Sequence, residues 1–322
     1  MKVYLCNKGY RFINDMLGQL LPDAEINECL PTEIATVAKD ANVLIPTINP
    51  IGEKELALPD LQLVQQFGAG LDTVDIAAAT AKGVYVANVP AAGTGNAESV
   101  AEVAVMHMLL LARRYVAAQQ SIKDRKVSSP ISWSLKNRTA LIVGYGGIGR
   151  EVARRLGGFE MNILAISRSG PKGSAEENAV HVDLHTTQDK LHELLPKADF
   201  VVLAPPLNDA TRGLMGSQEF ALMKPSAFVV NVARGGVIDN DALLAALEKG
   251  QITGAGLDVF VAEPCDPDDP LFKCNVTATP HIGGATDLGL QGIARGVAEN
   301  IRRVERGEIP LNCVNPEALA NR

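Results

Sequence analysis

Residues 140–149 read ALIVGYGGIG, an apolar stretch from Ala140 to Val143 running directly into Gly144-Tyr145-Gly146-Gly147-Ile148-Gly149. An apolar pattern of helical period, EVARRL (151–156), follows at once. A buried strand, a glycine turn and a helix start, in that order, make a dinucleotide-binding unit. Gly144 permits the tight turn, Gly146 puts no Cβ between the backbone and a pyrophosphate, and Gly149 lets the helix pack close to the strand. The helix N-terminus then offers unpaired N–H groups and the positive end of its dipole to the phosphates.

The second strand of this unit is NILAI (162–166). An acidic residue is expected about twenty residues past the glycines, where it binds the ribose 2′-hydroxyl of NAD. This chain instead has Ser167-Arg168-Ser169, with Lys172 close behind. A carboxylate repels a 2′-phosphate, whereas a guanidinium flanked by hydroxyls binds one. NADP(H) is therefore the expected preference, with NAD(H) still usable.

At 322 residues the chain is longer than one ordinary domain, and two are expected. A formal net charge of −7 argues against a nucleic-acid or anionic-membrane partner. No basic stretch followed by an apolar run opens the sequence, and no run long enough to span a bilayer occurs in it. Cys6, Cys29, Cys265, Cys274 and Cys313 are scattered without a CxxC pair, which suits a reduced, cytoplasmic protein.

Strand and helix patterns alternate from the start. KVYLC (2–6), the stretch 43–45 before Pro46, LQLVQQF (61–67) and VYVA (84–87) read as strands, and 75–82 as a helix stopped by Gly83. Helices between strands imply a parallel sheet with right-handed crossovers. ESVAEVAVMHMLLLARR (98–114) is a helix apolar nearly all round, hence buried, and its His107 reads as a satisfied core residue. Polar residues prevail from 119 to 138. Beyond Arg168, strands are expected at FVVLA (200–204), AFVVNV (227–232), ITGAGLDV (252–259) and 276–278, with a helix at DALLAALEK (241–249) stopped by Gly250.

Polar residues follow these strands: Arg234, Asp258, Glu263 and His281. In an open α/β sheet, ligands bind beyond the carboxyl ends of the strands. Reduction of a carbonyl beside a nicotinamide needs a proton donor that titrates near neutral pH, which suits His281. A nearby carboxylate such as Glu263 favours the imidazolium, and Arg234 could bind a substrate carboxylate and polarise the adjacent carbonyl. Spacing alone does not show that the three converge. The histidines of HVDLH (181–185), with His192 farther on, have no cysteine nearby, Asp183 reads as part of a strand, and no metal site is expected. The acidic, proline-containing stretch 266–270 reads as a solvated loop.

QFGAGLDTVD (66–75), NVPAAGTGNAESVAE (88–102), VGYGGIG (143–149), NVARGGVID (231–239), GAGLDVFVAEP (254–264) and TPHIGG (279–284) occur in that order. In this the chain resembles the D-isomer-specific 2-hydroxyacid dehydrogenase family over nearly its whole length. The resemblance implies two Rossmann-like, doubly wound parallel-sheet α/β domains. The first is discontinuous, a substrate domain of residues 1–98 and 287–322, around a dinucleotide-binding domain of residues 99–286. The resemblance also implies catalytic Arg234, Glu263 and His281, and a substrate carboxylate bound by backbone N–H groups of Gly68, Ala69 and Gly70. Asp258 would contact the nicotinamide carboxamide, and Pro206, Val232, Ala233 and Gly283 would line the dinucleotide site with Gly144 to Gly149 and Ser167 to Ser169. The family further implies a homodimer built on the long helix and its neighbouring loop.

The Ser-Arg-Ser departure resembles the NADPH-preferring glyoxylate and hydroxypyruvate reductases of the family. The expected reaction is reduction of a small 2-oxo acid to the D-2-hydroxy acid, with His281 giving the proton. Two alternatives stand beside it: a phosphoglycerate-type dehydrogenase, disfavoured by the end of the chain at Arg322 without a regulatory extension, and a dinucleotide-sensing interaction protein of the same fold.

Overall fold

Val3 and Leu5 of β1 (Lys2–Leu5) enter one buried apolar cluster, and Tyr4 between them enters another. Successive side chains of a strand point to opposite faces, so a strand without polar alternation is covered on both sides. The same division recurs in β3 (Val43–Ile45), β4 (Leu63–Gln65) and β5 (Tyr85–Ala87), which with β2 (Glu25–Glu28) form a parallel sheet ordered β2-β1-β3-β4-β5. Helices α1 (Arg11–Leu20), α2 (Ile34–Val37) and α3 (Ile76–Ala81) connect these strands.

The computed structural model describes residues 1–173 and 179–321, and the chain divides into two units. The first comprises Met1–Asn96 and Asp287–Arg322, the second Ala97–Thr286. The last helix of the chain, Asp287–Glu305, buries Ile293, Val297 and Ile301 in the cluster that holds Ile13 and Leu17 of α1. Its Asn300 amide donates to Gln65 Oε1 at 2.8 Å. Farther on, the Asn315 side chain accepts from Val86 N–H at 2.7 Å and donates to the Val84 carbonyl at 2.9 Å. Sequence-distant segments are thus held in one unit by buried polar bonds as well as by apolar packing.

The second unit opens on α4 (Asn96–Ala112) and α5 (Tyr115–Lys123). Its sheet contains β6 (Thr139–Val143), β7 (Asn162–Ser167), β8 (Leu184–Thr187), β9 (Phe200–Leu203), β10 (Phe228–Asn231), β11 (Gly254–Leu257) and β12 (Val276–Ala278). All are parallel, in the order β12-β11-β10-β9-β6-β7-β8. The chain runs outward from β6 to β8 and then returns to β9 on the other side of β6. That reversal is the topological switch point of a doubly wound sheet. Between strands lie α6 (Gly147–Gly157), α7 (Leu191–Leu194), α8 (Ser217–Leu222) and α9 (Asn240–Glu248). The α/β class with two parallel sheets, expected from the alternating pattern, is what the chain adopts.

Some elements differ from the sequence reading. The helix expected to reach Arg114 ends at Ala112, because Arg114 takes a left-handed backbone (φ 51°) and starts a separate helix, α5, which runs into the stretch read only as polar. The edge strand β2 (EINE) was not anticipated, and β8 (LHTT) begins one residue past Asp183, which was read as part of a strand. Both lack the unbroken apolar run that betrays a strand covered on two faces. Asp183 precedes β8 instead of belonging to a strand, and its carboxylate accepts the Ile163 N–H at 2.7 Å. Among the described residues no helix is long and apolar enough to cross a membrane.

Candidate active site

Strand β6 delivers Gly144 to the switch point with φ +97°, a conformation that L side chains rarely adopt. A Cβ there would lie 2.4 Å from Pro205 N and 2.5 Å from the Ala204 carbonyl carbon, so the ends of β6 and β9 nearly touch. A Cβ on Gly149 would meet the Gly144 carbonyl oxygen at 2.1 Å, which is how closely α6 sits on its strand. Gly146, at the N-cap, is different: it is exposed, and nothing lies within 4 Å of where its Cβ would be. Gly147 and Ile148 open the helix behind it. The result is open space over bare backbone at the positive end of an eleven-residue helix, which fits a pyrophosphate. Tyr145 contributes backbone to this loop, since its side chain is buried edge-on against the His185 ring at 4.8 Å.

The loop is tied to the end of β7. Gly144 N–H and Tyr145 N–H both donate to the Ile166 carbonyl, at 2.8 and 3.1 Å. Ser167, Arg168 and Ser169 come next, Arg168 and Ser169 exposed, and Gly170 (φ +66°) turns the chain back. Ser167 Oγ lies 2.8 Å from His185 Nε2 and 3.2 Å from the Gly170 carbonyl. His181 lies against Asp183 at 3.4 Å, so the two imidazoles of HVDLH go to different partners.

On the other side of the switch point the remaining residues leave consecutive strand ends. Pro206 is exposed after β9, while Val232 and Ala233 are buried after β10. The buried Asn231 amide shapes the turn that follows: its Oδ1 accepts from Ala233 N–H at 3.0 Å and its Nδ2 donates to the Arg234 carbonyl at 2.9 Å. Arg234 Nη1 donates to the Ala233 carbonyl at 2.8 Å. Gly235 lets this turn approach the loop after β11, because a Cβ there would lie 2.0 Å from the Phe260 carbonyl carbon. That loop carries Glu263.

His281 and Glu263 are brought together: Nδ1 lies 2.7 Å from Oε2, with the side chains 35% and 19% exposed. Glu263 Oε1 also accepts from Phe260 N–H at 3.0 Å. Burial works to raise the Glu263 pKa, but the bond and charge of His281, the Phe260 N–H and the Arg234 charge together hold it below the usual glutamate range. His281 itself sits at φ 54°, a strained backbone for a non-glycine residue, fixed by its N–H donating to the Asp258 carbonyl at 2.8 Å.

Asp258 follows β11 and is 1% exposed. Its Oδ1 accepts from Thr279 Oγ1 (2.7 Å) and Ile282 N–H (2.9 Å), and its Oδ2 from Gly283 N–H (2.9 Å). A Cβ on Gly283 would stand 2.8 Å from that Oδ2. Behind Thr279 lies the fully buried His107 of α4, with Nδ1 2.8 Å from Thr277 Oγ1 and Nε2 3.0 Å from Thr279 Oγ1. The sequence reading passed over Asn231, Thr277 and Thr279. A lone amide closing the apolar run FVVN was the available signal for the first.

In the first unit, the loop after β4 turns its carbonyls inward. Gly68 (φ +128°) accepts from Val89 N–H at 2.9 Å, Ala69 from Asn88 Nδ2 at 2.7 Å, and Gly70 from Gln66 Nε2 at 2.6 Å. These contacts anchor the three carbonyls of the loop.

The glycine cradle and the imidazole–carboxylate pair lie on one sheet edge, the layout of a dinucleotide-dependent oxidoreductase. Residues 105–283 match the model of the "D-isomer specific 2-hydroxyacid dehydrogenase, NAD binding domain". The chain is 38% identical over 296 residues to a glyoxylate reductase of Thermococcus litoralis, covering 88% of this chain and 86% of that one. It is also 38% identical over 290 residues to a D-3-phosphoglycerate dehydrogenase of Methanocaldococcus jannaschii, covering 88% of this chain but 53% of that one. Its fold is similar to that of an NADPH-dependent glyoxylate/hydroxypyruvate reductase of Sinorhizobium meliloti solved with NADP and malonate. The TM-score is 0.84 and the identity 27%, over 98% of this chain and 97% of that one. The chain belongs to the D-isomer specific 2-hydroxyacid dehydrogenase family. It is a dehydrogenase, and its cofactor is a nicotinamide dinucleotide.

Proposed function

We propose that the chain reduces a small 2-oxo acid of glyoxylate or hydroxypyruvate size to the 2-hydroxy acid, of D configuration where the product is chiral. The observation that carries this reading is the 2.7 Å bond between His281 Nδ1 and Glu263 Oε2 on the cradle's own sheet edge. A bound nicotinamide dinucleotide supplies the hydride. With Nδ1 held by the carboxylate, His281 carries the transferable proton on Nε2 and gives it to the carbonyl oxygen. Arg234 binds the substrate carboxylate and polarises the carbonyl, and the Gly68, Ala69 and Gly70 loop offers backbone N–H groups to a carboxylate. The names of the Thermococcus litoralis and Sinorhizobium meliloti relatives support a substrate of this size.

In this reading Ala97–Thr286 is the dinucleotide-binding domain, and Met1–Asn96 with Asp287–Arg322 is the substrate domain. The pyrophosphate lies on the loop from Gly144 to Gly149, and Pro206, Val232, Ala233 and Gly283 line the same site. Asp258 receives the nicotinamide carboxamide. NADP(H) is preferred, because Arg168 is exposed beside the cradle with Ser167 and Ser169 flanking it and no carboxylate among them. A homodimer accounts for the apolar side chains left exposed on and after α4 and α5, with Val116 67%, Ile122 69%, Val127 90% and Ile131 88% exposed. A cytoplasmic location agrees with five free thiols.

The test is steady-state reduction of glyoxylate, hydroxypyruvate, pyruvate, phenylpyruvate, 2-oxoisocaproate and 3-phosphohydroxypyruvate with NADPH and NADH separately. Turnover of glyoxylate or hydroxypyruvate with NADPH is the expected result. Preference for the phosphorylated acid would move the assignment to the phosphoglycerate type. Tight dinucleotide binding without any turnover would indicate a sensing protein.

A further inference from the structure

We propose that His107 is a positioning residue for the nicotinamide end of the dinucleotide, acting through Thr279 on the carboxylate of Asp258. The proposal rests on the reading of Asp258 as the partner of the nicotinamide carboxamide.

The direction of every bond in the chain of contacts follows from chemistry. A carboxylate only accepts, so the single hydroxyl hydrogen of Thr279 is spent on Asp258 Oδ1, 2.7 Å away. Toward His107 Nε2, 3.0 Å away, Thr279 Oγ1 must therefore accept, and Nε2 carries the hydrogen. Burial pushes the His107 pKa down, with the Asp258 charge pulling the other way, so the ring is neutral and Nδ1 is bare. Nδ1 then accepts from Thr277 Oγ1 at 2.8 Å. The sequence of donors runs one way, Thr277 to His107 to Thr279 to Asp258, and fixes the imidazole tautomer.

That order has a purpose beyond filling space. A carboxylate that is 1% exposed is costly to keep ionised unless donors surround it. Among the described residues Asp258 receives three donors, two on Oδ1 and one on Oδ2. A carboxylate offers about four acceptor directions, so one remains on Oδ2 for an amide donor such as a carboxamide. Its aim depends on Oδ1 being held, and Oδ1 is held in part by a hydroxyl whose own orientation His107 sets. The sheet makes room for this arrangement. A Cβ on Gly256 of β11 would lie 2.6 Å from His107 Cβ, so only a glycine in that strand lets the imidazole settle against the strand ends. A histidine is not needed to fill an apolar face of α4, where valine, methionine and leucine surround it in sequence.

The experiment compares the dissociation constants of NADPH and NADH with those of 2′-phospho-ADP-ribose and ADP-ribose, the same molecules without nicotinamide. The variants are Asp258→Asn, Thr279→Val, Thr279→Ser, His107→Leu and His107→Gln, each followed by its melting temperature. Thr279→Val and His107→Leu are expected to weaken the dinucleotides roughly tenfold, the effect of a lost hydrogen bond to a charged group, and to leave the ADP-ribose compounds unchanged. Thr279→Ser and His107→Gln, which keep the donors, restore the dinucleotide affinity. If His107→Leu does not fold, the Thr279 pair alone carries the test.

Normal dinucleotide binding by Thr279→Val and His107→Leu, alongside a weakened Asp258→Asn, would overturn the role of His107 and leave Asp258 in place. Parallel loss of ADP-ribose and dinucleotide would overturn it in favour of a purely structural bond. Normal dinucleotide binding by Asp258→Asn would remove the underlying reading of Asp258 itself.

Discussion

His281 Nδ1 and Glu263 Oε2 are 2.7 Å apart although their residues leave different strands, and each side chain is braced from its own backbone neighbourhood. Phe260 N–H holds the other oxygen of Glu263, and the Asp258 carbonyl holds His281 N–H. With Nδ1 so paired, Nε2 is the nitrogen left for the proposed proton transfer. His281→Ala is expected to lower kcat by on the order of 10²–10⁴, the usual contribution of a positioned general acid. NADPH affinity, read by fluorescence titration, stays the same, because among the described residues no bond of the cradle involves that side chain. Near-normal turnover in this variant would show that another group donates the proton.

The same pair makes stability depend on pH. The Glu263 pKa lies below the usual glutamate value in the folded chain, so its bonds stabilise the native state fully above that ordinary value, about 4.3. The contribution is lost as pH falls through the depressed folded-state pKa. The melting temperature of the wild type should therefore exceed that of Glu263→Gln at neutral pH, and the gap should close under acid conditions. A gap that widens on acidification would contradict the sign.

Arg168 stands exposed in the turn after β7, next to the glycine loop that Ile166 holds in place. In the proposed reading its guanidinium would bind a 2′-phosphate and find nothing comparable on NADH. Arg168→Ala should raise the KM for NADPH by roughly 10- to 100-fold, as for a lost charge-assisted contact, and change that for NADH little. Equal effects on both cofactors would show that Arg168 does not read the phosphate.

Much of this architecture was legible before any coordinates. Central strands buried on both faces, such as FVVL of β9, announce themselves as unbroken apolar runs. The glycine loop is legible because each glycine answers a separate steric demand. The edge strand β2 was not legible, since it carries polar residues at three of four positions (EINE), whereas the edge strands β5 and β12 were. The polar scaffolding under the site was hidden for another reason. Thr279 and His107 act through contacts that cross between elements, and no sequence spacing encodes the 172 positions separating His107 from Thr279. His107 was read as a satisfied core residue. It is one, and one of the two threonines that satisfy it, Thr279, bonds Asp258.

The glycines of the cradle separate folding from binding. Gly149→Ala forces a Cβ to within 2.1 Å of the Gly144 carbonyl oxygen, against backbone that cannot retreat without moving α6 off β6. It should destabilise the protein by about 1–3 kcal/mol, the range for overpacking, and lower the melting temperature by several degrees. Gly146→Ala meets nothing within 4 Å, and Gly146 has an ordinary negative φ of −92°. Its melting temperature should match the wild type, yet its Cβ enters the space where a pyrophosphate approaches the backbone. Dinucleotide affinity should fall by roughly tenfold or more, in proportion to the contacts displaced. The two variants are measured side by side by thermal unfolding and NADPH titration. If Gly146→Ala bound NADPH as tightly as the wild type, the pyrophosphate would have to lie elsewhere on the sheet edge.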